Sequence, residues 1–355
     1  MKKMVLILIW TAVLLLAGCA EEKLPPMTSQ SGVPAETGSW VQTEVQEETE
    51  PSGDRIYLNV SEIDLSLVGD SEDLYAGSAP RNRVTFQSAD PAVATFEDGV
   101  LTAVGVGETT VSAVYEDQKI QVPVSCLAET KEALRALPAE ILKSPKRLPP
   151  PVSQEPATCF NDAAIIGDSI TFVLFQNELR SNGLGDILFL AKGGISLNSL
   201  VLGYKKLSYQ GKDRPVEDLL QETGVRKVFI MLGQNDLNYM DLEPTVENLR
   251  TLVKRIRKKN PEIQIYLESC TPQYLEKNGD SDQNALIDAF NLEMKDYADL
   301  MDLHYVEVEK YIENHCNNMA EIYHNDNRHM NPRGCEIWIQ ALKAHMDMEA
   351  LQAES

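Results

Sequence analysis

The stretch AAIIGDSITF, residues 163–172, decides how the second half of this 355-residue chain is read. Four apolar residues stop on Gly-Asp-Ser, and an apolar helical pattern starts directly behind them. A strand buried on both faces, a tight turn and a helix opening at Ser169 account for that order. Gly-Asp-Ser by itself decides nothing, because these residues also suit turns and helix caps, and the tripeptide recurs at 69–71 and 279–281. Context separates the copies. Gly69-Asp70-Ser71 follows LSLV and precedes two acidic residues, as the turn closing an early strand does. In KNGDSDQNALIDAF, Ser281 stands where a helix N-cap is expected.

Outward from 163–172, apolar runs recur at ILFLA, KVFIMLG, IQIYLES and YVEV, with helical patterns between them. In EPTVENLRTLVKRIRKKN, for example, Val246, Leu249, Val253 and Ile256 fall at helical spacing. Strands this apolar, alternating with helices, predict a parallel sheet covered on both faces. Ligands of such a sheet bind beyond the carboxyl ends of its strands. The loops expected there carry Gly167-Asp168-Ser169, Lys192-Gly193-Gly194, Leu232 to Asp236, and Asp326 to His329.

These loops hold what ester cleavage requires. Ser169 offers a hydroxyl and, at a helix start, an unpaired backbone N–H. His329 is the candidate base, and Asp326, three residues earlier, is placed to fix its tautomer. Gly194 has no side chain to block an oxygen from its N–H, and Asn235 carries a side-chain N–H for the same oxygen. Asp168 is expected to hold its turn by hydrogen bonds. Trp338 and Ile339 are read as core, and His304, His315 and His345 receive no role. His324, Asp326 and His329 are close in sequence, but no further ligand supports a metal there, so none is expected.

Gly167-Asp168-Ser169, Gly194, Gly233-x-Asn235-Asp236 and Asp326-x-x-His329, in this order, resemble the four blocks of the SGNH hydrolase superfamily, or GDSL esterases. The resemblance covers about Cys159 to Ala344. It implies an α/β, flavodoxin-like three-layer α/β/α sandwich, with Ser169 as nucleophile, Ser169, Gly194 and Asn235 as oxyanion donors, and Asp326 with His329 completing a triad. Gly167, Asp168, Gly233 and Asp236 are then structural, and no metal or organic cofactor is implied. Gln234 and Ile170 depart from the Thr and Leu common in the family. Gly194 is preferred over Gly193 because Gly194-x-Ser196 resembles the family's Gly-x-Ser/Thr.

The N-terminal half has another character. Residues 1–19 place Lys2 and Lys3 before an apolar run ending Leu16-Ala17-Gly18-Cys19, the layout of an export signal that resembles a bacterial lipobox. Cys19 is the expected lipid anchor, on the outer face of the cell membrane. Residues 20–53 carry seven Glu against one Lys and read as a solvated acidic tether. Residues 54–126 show short alternating runs between turns, the pattern of a small β-sandwich. SADPAVATFEDGVLTAVGVGETTVSAVY within them resembles the bacterial Ig-like group 2 domain. A helical and Pro-rich linker, 127–158, is expected to act as a stiff spacer before the hydrolase region, 159–347, and a tail, 348–355.

A net charge of −22, with no basic cluster interleaved with aromatics, excludes a nucleic-acid partner. Beyond Cys19 lie five cysteines, Cys126, Cys159, Cys270, Cys316 and Cys335, an odd number that requires a free thiol or an intermolecular bond. The expectation is a surface-anchored serine esterase acting on small O-acyl groups of cell-wall or other glycans, with wall contact through the Ig-like part. An O-acyltransferase with the same triad, and a non-catalytic adhesin, are its rivals.

Overall fold

A computed structural model describes residues 56–77, 83–276 and 281–353, all within one compact unit, Ser52–Ser355. The export signal, Cys19, the tether, Gly279 and Asp280 lie outside the described residues.

The N-terminal strands are β1 (Tyr57–Leu58), β2 (Glu62–Leu67), β3 (Ser71–Asp73), β4 (Ala76–Gly77), β5 (Thr85–Ser88), β6 (Ala94–Glu97), β7 (Val100–Ala103), β8 (Gly107–Tyr115) and β9 (Gln118–Ala128). Two short helices, α1 (Lys131–Arg135) and α2 (Ala139–Leu142), and strand β10 (Arg147–Leu148) follow. One sheet has the order β10-β2-β9-β8-β5, a second β3-β7-β6, and β1 pairs with β4. Alternation along the strands sends Ile63, Leu65, Val111, Val122, Val124, Ala94 and Leu101 into one apolar core drawn from both larger sheets. The Gly69 copy of the tripeptide turns the chain between β2 and β3: Gly69 has φ +96° and Asp70 accepts from the Leu67 N–H at 2.9 Å.

The region expected to be a stiff spacer, 127–158, is instead folded onto its neighbours. β10 pairs antiparallel with β2, the Lys146 N–H donates to the Glu313 carbonyl at 2.9 Å, and Lys343 donates to the carbonyls of Ser153 and Glu155. Prolines lack a donor but keep their carbonyls, and a chain they have already stiffened loses little entropy on docking. Glu72 of β3 pairs with Arg147 and with Lys310, while the Tyr311 hydroxyl donates to the Asn59 carbonyl at 2.7 Å.

Beyond β10, the five apolar runs form β11 (Ala163–Gly167), β12 (Leu188–Ala191), β15 (Lys227–Met231), β16 (Gln264–Glu268) and β17 (His304–Val306). A hairpin, β13 (Leu207–Tyr209) and β14 (Lys212–Arg214), lies between them in sequence. The five are parallel, in the order β12-β11-β15-β16-β17, which reverses direction beside β11. The helices are α3 (Ser169–Ser181), α4 (Leu197–Val201), α5 (Val216–Thr223), α6 (Leu242–Lys259), α7 (Asp282–Met301), α8 (Glu309–Ile312) and α9 (Pro332–Ala353). Every residue of β11 is buried, and Val246, Leu249, Val253 and Ile256 of α6 all face the core. Ser281 caps α7, accepting from the Asn284 N–H at 3.2 Å. The tail expected from residue 348 belongs to α9 as far as Ala353, because Met348 is buried against Gly77. All five cysteines among the described residues are free thiols.

Candidate active site

Ser169 is the first residue of α3, and Asp168 is its N-cap, accepting from the Ile170 N–H at 2.9 Å. The turn is tight: a Cβ on Gly167 would collide with Thr171 Oγ1. Opposite, after β17 and α8, the loop before α9 brings His329 back over β11. His329 Nε2 lies 2.9 Å from Ser169 Oγ, although 160 residues separate them, and Nδ1 lies 2.8 Å from Asp326 Oδ2. With Nδ1–H donating to the carboxylate, Nε2 is left as the acceptor for the serine hydroxyl.

Asp326 also accepts from the backbone N–H groups of Arg328 and His329 at 2.8 Å. Partial burial raises its carboxyl, but the backbone and ring donors of His329, helped by Arg328, outweigh that and hold it at about 2. The carboxylate is therefore ionised throughout the neutral range. That arrangement holds one histidine tautomer and suits an imidazolium at this position.

Gly194 ends the β12 loop at φ +66°, a backbone shape that favours glycine, and the Lys205 ammonium donates to its carbonyl. Among the described residues, the backbone N–H groups of Ser169 and Gly194 have no protein acceptor. Asp236, fully buried, grips this loop from below: its two oxygens accept from the Leu197 and Asn198 N–H groups at 2.8 Å each, at the start of α4. Gly233 sits at φ +133°, where a Cβ would collide with the ring of Phe290.

Asn235 differs from the expectation of a spare donor. One amide hydrogen goes to Asp168 Oδ2 at 2.9 Å and the other to the Ile195 carbonyl at 2.8 Å. The side chain thus ties the Ser169 turn to the Gly194 loop, and donation to a substrate oxygen requires one bond to be shared or exchanged. Gln234 points away, its amide donating to Thr271, and Ile170 is core. His324 stacks on Tyr274, with ring centroids 3.6 Å apart. Sequence reasoning missed Arg328, which reaches Asn238 at 2.9 Å and closes one rim of the site, and Lys205 on the other; neither position has a motif signal.

Burial pushes the Asp168 carboxyl up to about 6, against the Ile170 N–H bond and the attraction of His329. Its folded value lies above its unfolded value of 3.8, so its contribution to stability is complete below 3.8 and is lost as pH rises through about 6. The Asp168→Asn chain is expected to lack this loss. Urea unfolding followed from about pH 4 to 7 should show a stability change shifted by roughly 2–3 kcal/mol relative to wild type; parallel curves would contradict it.

Residues 165–337, just under half of the chain, match the model of the GDSL-like Lipase/Acylhydrolase family. This part of the chain is a GDSL/SGNH hydrolase domain, and the protein is a carboxylic ester hydrolase. Comparison with curated proteins finds no match. Similar solved structures include a GDSL-like lipase from Bacteroides thetaiotaomicron, 16% identical over 57% of this chain and 93% of that one, with a TM-score of 0.43. A member of the lipolytic G-D-S-L family from Veillonella parvula is 17% identical over 51% and 95%, with a TM-score of 0.37. An acetyl xylan esterase is 16% identical over 51% and 97%, with a TM-score of 0.39.

Proposed function

We propose that the chain is a serine esterase removing small O-acyl groups, principally acetyl, from cell-wall or other glycans, held at the outer face of the membrane through lipid on Cys19. The observation that carries this reading is the unbroken relay from Ser169 Oγ through His329 to Asp326, at 2.9 and 2.8 Å. Ser169 Oγ attacks the ester carbonyl carbon while His329 Nε2 takes its proton. The oxyanion that forms is met by the free N–H groups of Ser169 and Gly194 and by the Asn235 amide, which exchanges one of its two present bonds for it. The imidazolium then protonates the departing sugar oxygen, leaving an acyl-serine that water hydrolyses by the same steps in reverse.

The surroundings suit an ester carried on a large polar substrate. Ser169 and His329 are half-buried, while Gly194 and Asp326 are exposed, so the reacting atoms open to solvent. Phe172 on α3, Tyr204 just beyond α4 and Tyr239 four residues after Asn235 are all exposed. Such rings offer apolar faces for sugar rings to stack on, and Tyr adds a hydroxyl. In this reading residues 20–53 form the tether and 54–126 an Ig-like spacer that meets the wall.

Acetate release from an O-acetylated glycan, with and without free acceptor sugars, tests the substrate class. Release independent of acceptor is expected. Acetyl appearing on the acceptor would replace hydrolysis by transfer, and turnover confined to long-chain esters would remove the glycan reading. Replacing Asn235 by Ala is expected to lower kcat by about 10²–10³-fold with little change in KM, as loss of one oxyanion donor does. An effect confined to thermal stability would make the side chain a clamp only.

A further inference from the structure

At the amino end of β17, opposite the catalytic loops, three side chains with metal-binding atoms converge. His304 opens β17; His345 and Glu349 lie one turn apart on α9. His304 Nδ1 is 2.5 Å and His345 Nε2 3.1 Å from the same oxygen, Glu349 Oε1. The three donor atoms all lie within 4.8 Å of one another, and among the described residues no other group of His, Cys, Asp and Glu side chains meets that spacing. α9 begins three residues beyond His329, and thirteen residues of helix place His345 about 20 Å along its axis. The cluster is separate from the serine site.

We propose that His304, His345 and Glu349 bind one divalent transition-metal ion of the zinc type, as a structural clasp between α9 and the edge strand β17. Two imidazoles and a carboxylate are a donor set that zinc accepts, with a fourth position left to water. Ligands about 2.0–2.2 Å from a common ion sit roughly 3–4 Å apart, so small side-chain movements convert the present hydrogen bonds into coordination. The surroundings orient the donors. The Tyr266 hydroxyl donates to the second oxygen of Glu349 at 2.8 Å, and its ring stacks on His304 with centroids 4.2 Å apart and meets His345 edge-on. A hydrogen-bonded residue behind the carboxylate and a ring fixing the imidazole are what outer-shell partners supply at metal sites. His345 and Glu349 at i, i+4 share a helix face, which fixes half of the site before folding brings His304 to it.

Zinc titration of the full chain by calorimetry, with thermal unfolding in zinc and in magnesium, tests this. Expected are one Zn²⁺ per chain, a rise in Tm with zinc and none with magnesium. His345→Ala and Glu349→Gln should each weaken zinc binding at least 100-fold, and Tyr266→Phe by roughly 10–100-fold. Cobalt as a substitute should give visible bands without a thiolate charge-transfer band, which separates this site from the half-buried thiol of Cys159. Esterase turnover of Glu349→Gln, whose shape is conserved, reports that the chain remains folded. Wild type failing to bind zinc at about 1 mM, or Glu349→Gln binding as tightly as wild type, overturns the proposal.

Discussion

Replacing Ser169 by Ala is expected to lower kcat on p-nitrophenyl acetate by about 10⁴–10⁶-fold and to abolish labelling by a fluorophosphonate, with Tm nearly unchanged. The size of the loss follows from geometry. His329 Nε2 has one partner for its proton chemistry, Ser169 Oγ at 2.9 Å, and without that oxygen no acyl-enzyme can form. Residual turnover then reflects only binding and the backbone N–H groups of Ser169 and Gly194, both of which survive the substitution. The small effect on stability follows as well, because Asp168, not Ser169, supplies the cap of α3. Undiminished turnover with intact labelling would place the nucleophile elsewhere and remove the relay from the mechanism. A chain that neither labels nor turns over in its wild-type form would return the adhesin reading.

The largest effect on stability is expected at Glu72. Its carboxylate faces Arg147, which is 3% exposed, and Lys310, and burial that would raise its pKa is outweighed by these two cations. A guanidinium cannot shed its charge when its partner is removed. Glu72→Gln keeps the shape but leaves Arg147 buried without a counter-ion, a change that costs about 3–5 kcal/mol. The corresponding fall in Tm is on the order of 10 °C. Since the folded pKa of Glu72 is depressed, wild type holds this contribution above the unfolded value of 4.5 and loses it as pH falls through the folded value. Differential scanning calorimetry at pH 7 and pH 4 reads both effects. A Tm unchanged at pH 7 would show that water or a neighbouring carboxylate such as Glu307 already satisfies Arg147.

What the sequence reveals and conceals follows from the range of each interaction. The strand-turn-helix at 163–172 was legible because β11 is buried on both faces and so reads as an unbroken apolar run. Ser281 was legible as a cap because its partner, Asn284, is three residues away. Ser169 and His329 were found through their positions at strand ends and the order of four blocks, which stand in for a contact no local pattern encodes. The commitment of the Asn235 amide was invisible, since it depends on the carbonyl of Ile195 forty residues earlier, and carbonyls leave no mark in a sequence. The prolines of 145–156 suggested a spacer because composition records stiffness and not whether a rigid segment finds a surface to lie on. His304, His345 and Glu349 look unrelated for the same reason: only the pair on α9 has a helical spacing.

The shared seam between the β-rich part and the hydrolase constrains how such a gene can be recombined. Tyr311 and Ala341 belong to the apolar core of the N-terminal sheets, and β10, inside the proline run, completes their larger sheet. A crossover ahead of β10 would therefore hand one descendant a sheet missing its edge, and one anywhere in the run would leave the hydrolase with Tyr311 and Ala341 bare. Exchange of either half as a separate cassette is therefore expected to cost both halves part of their packing.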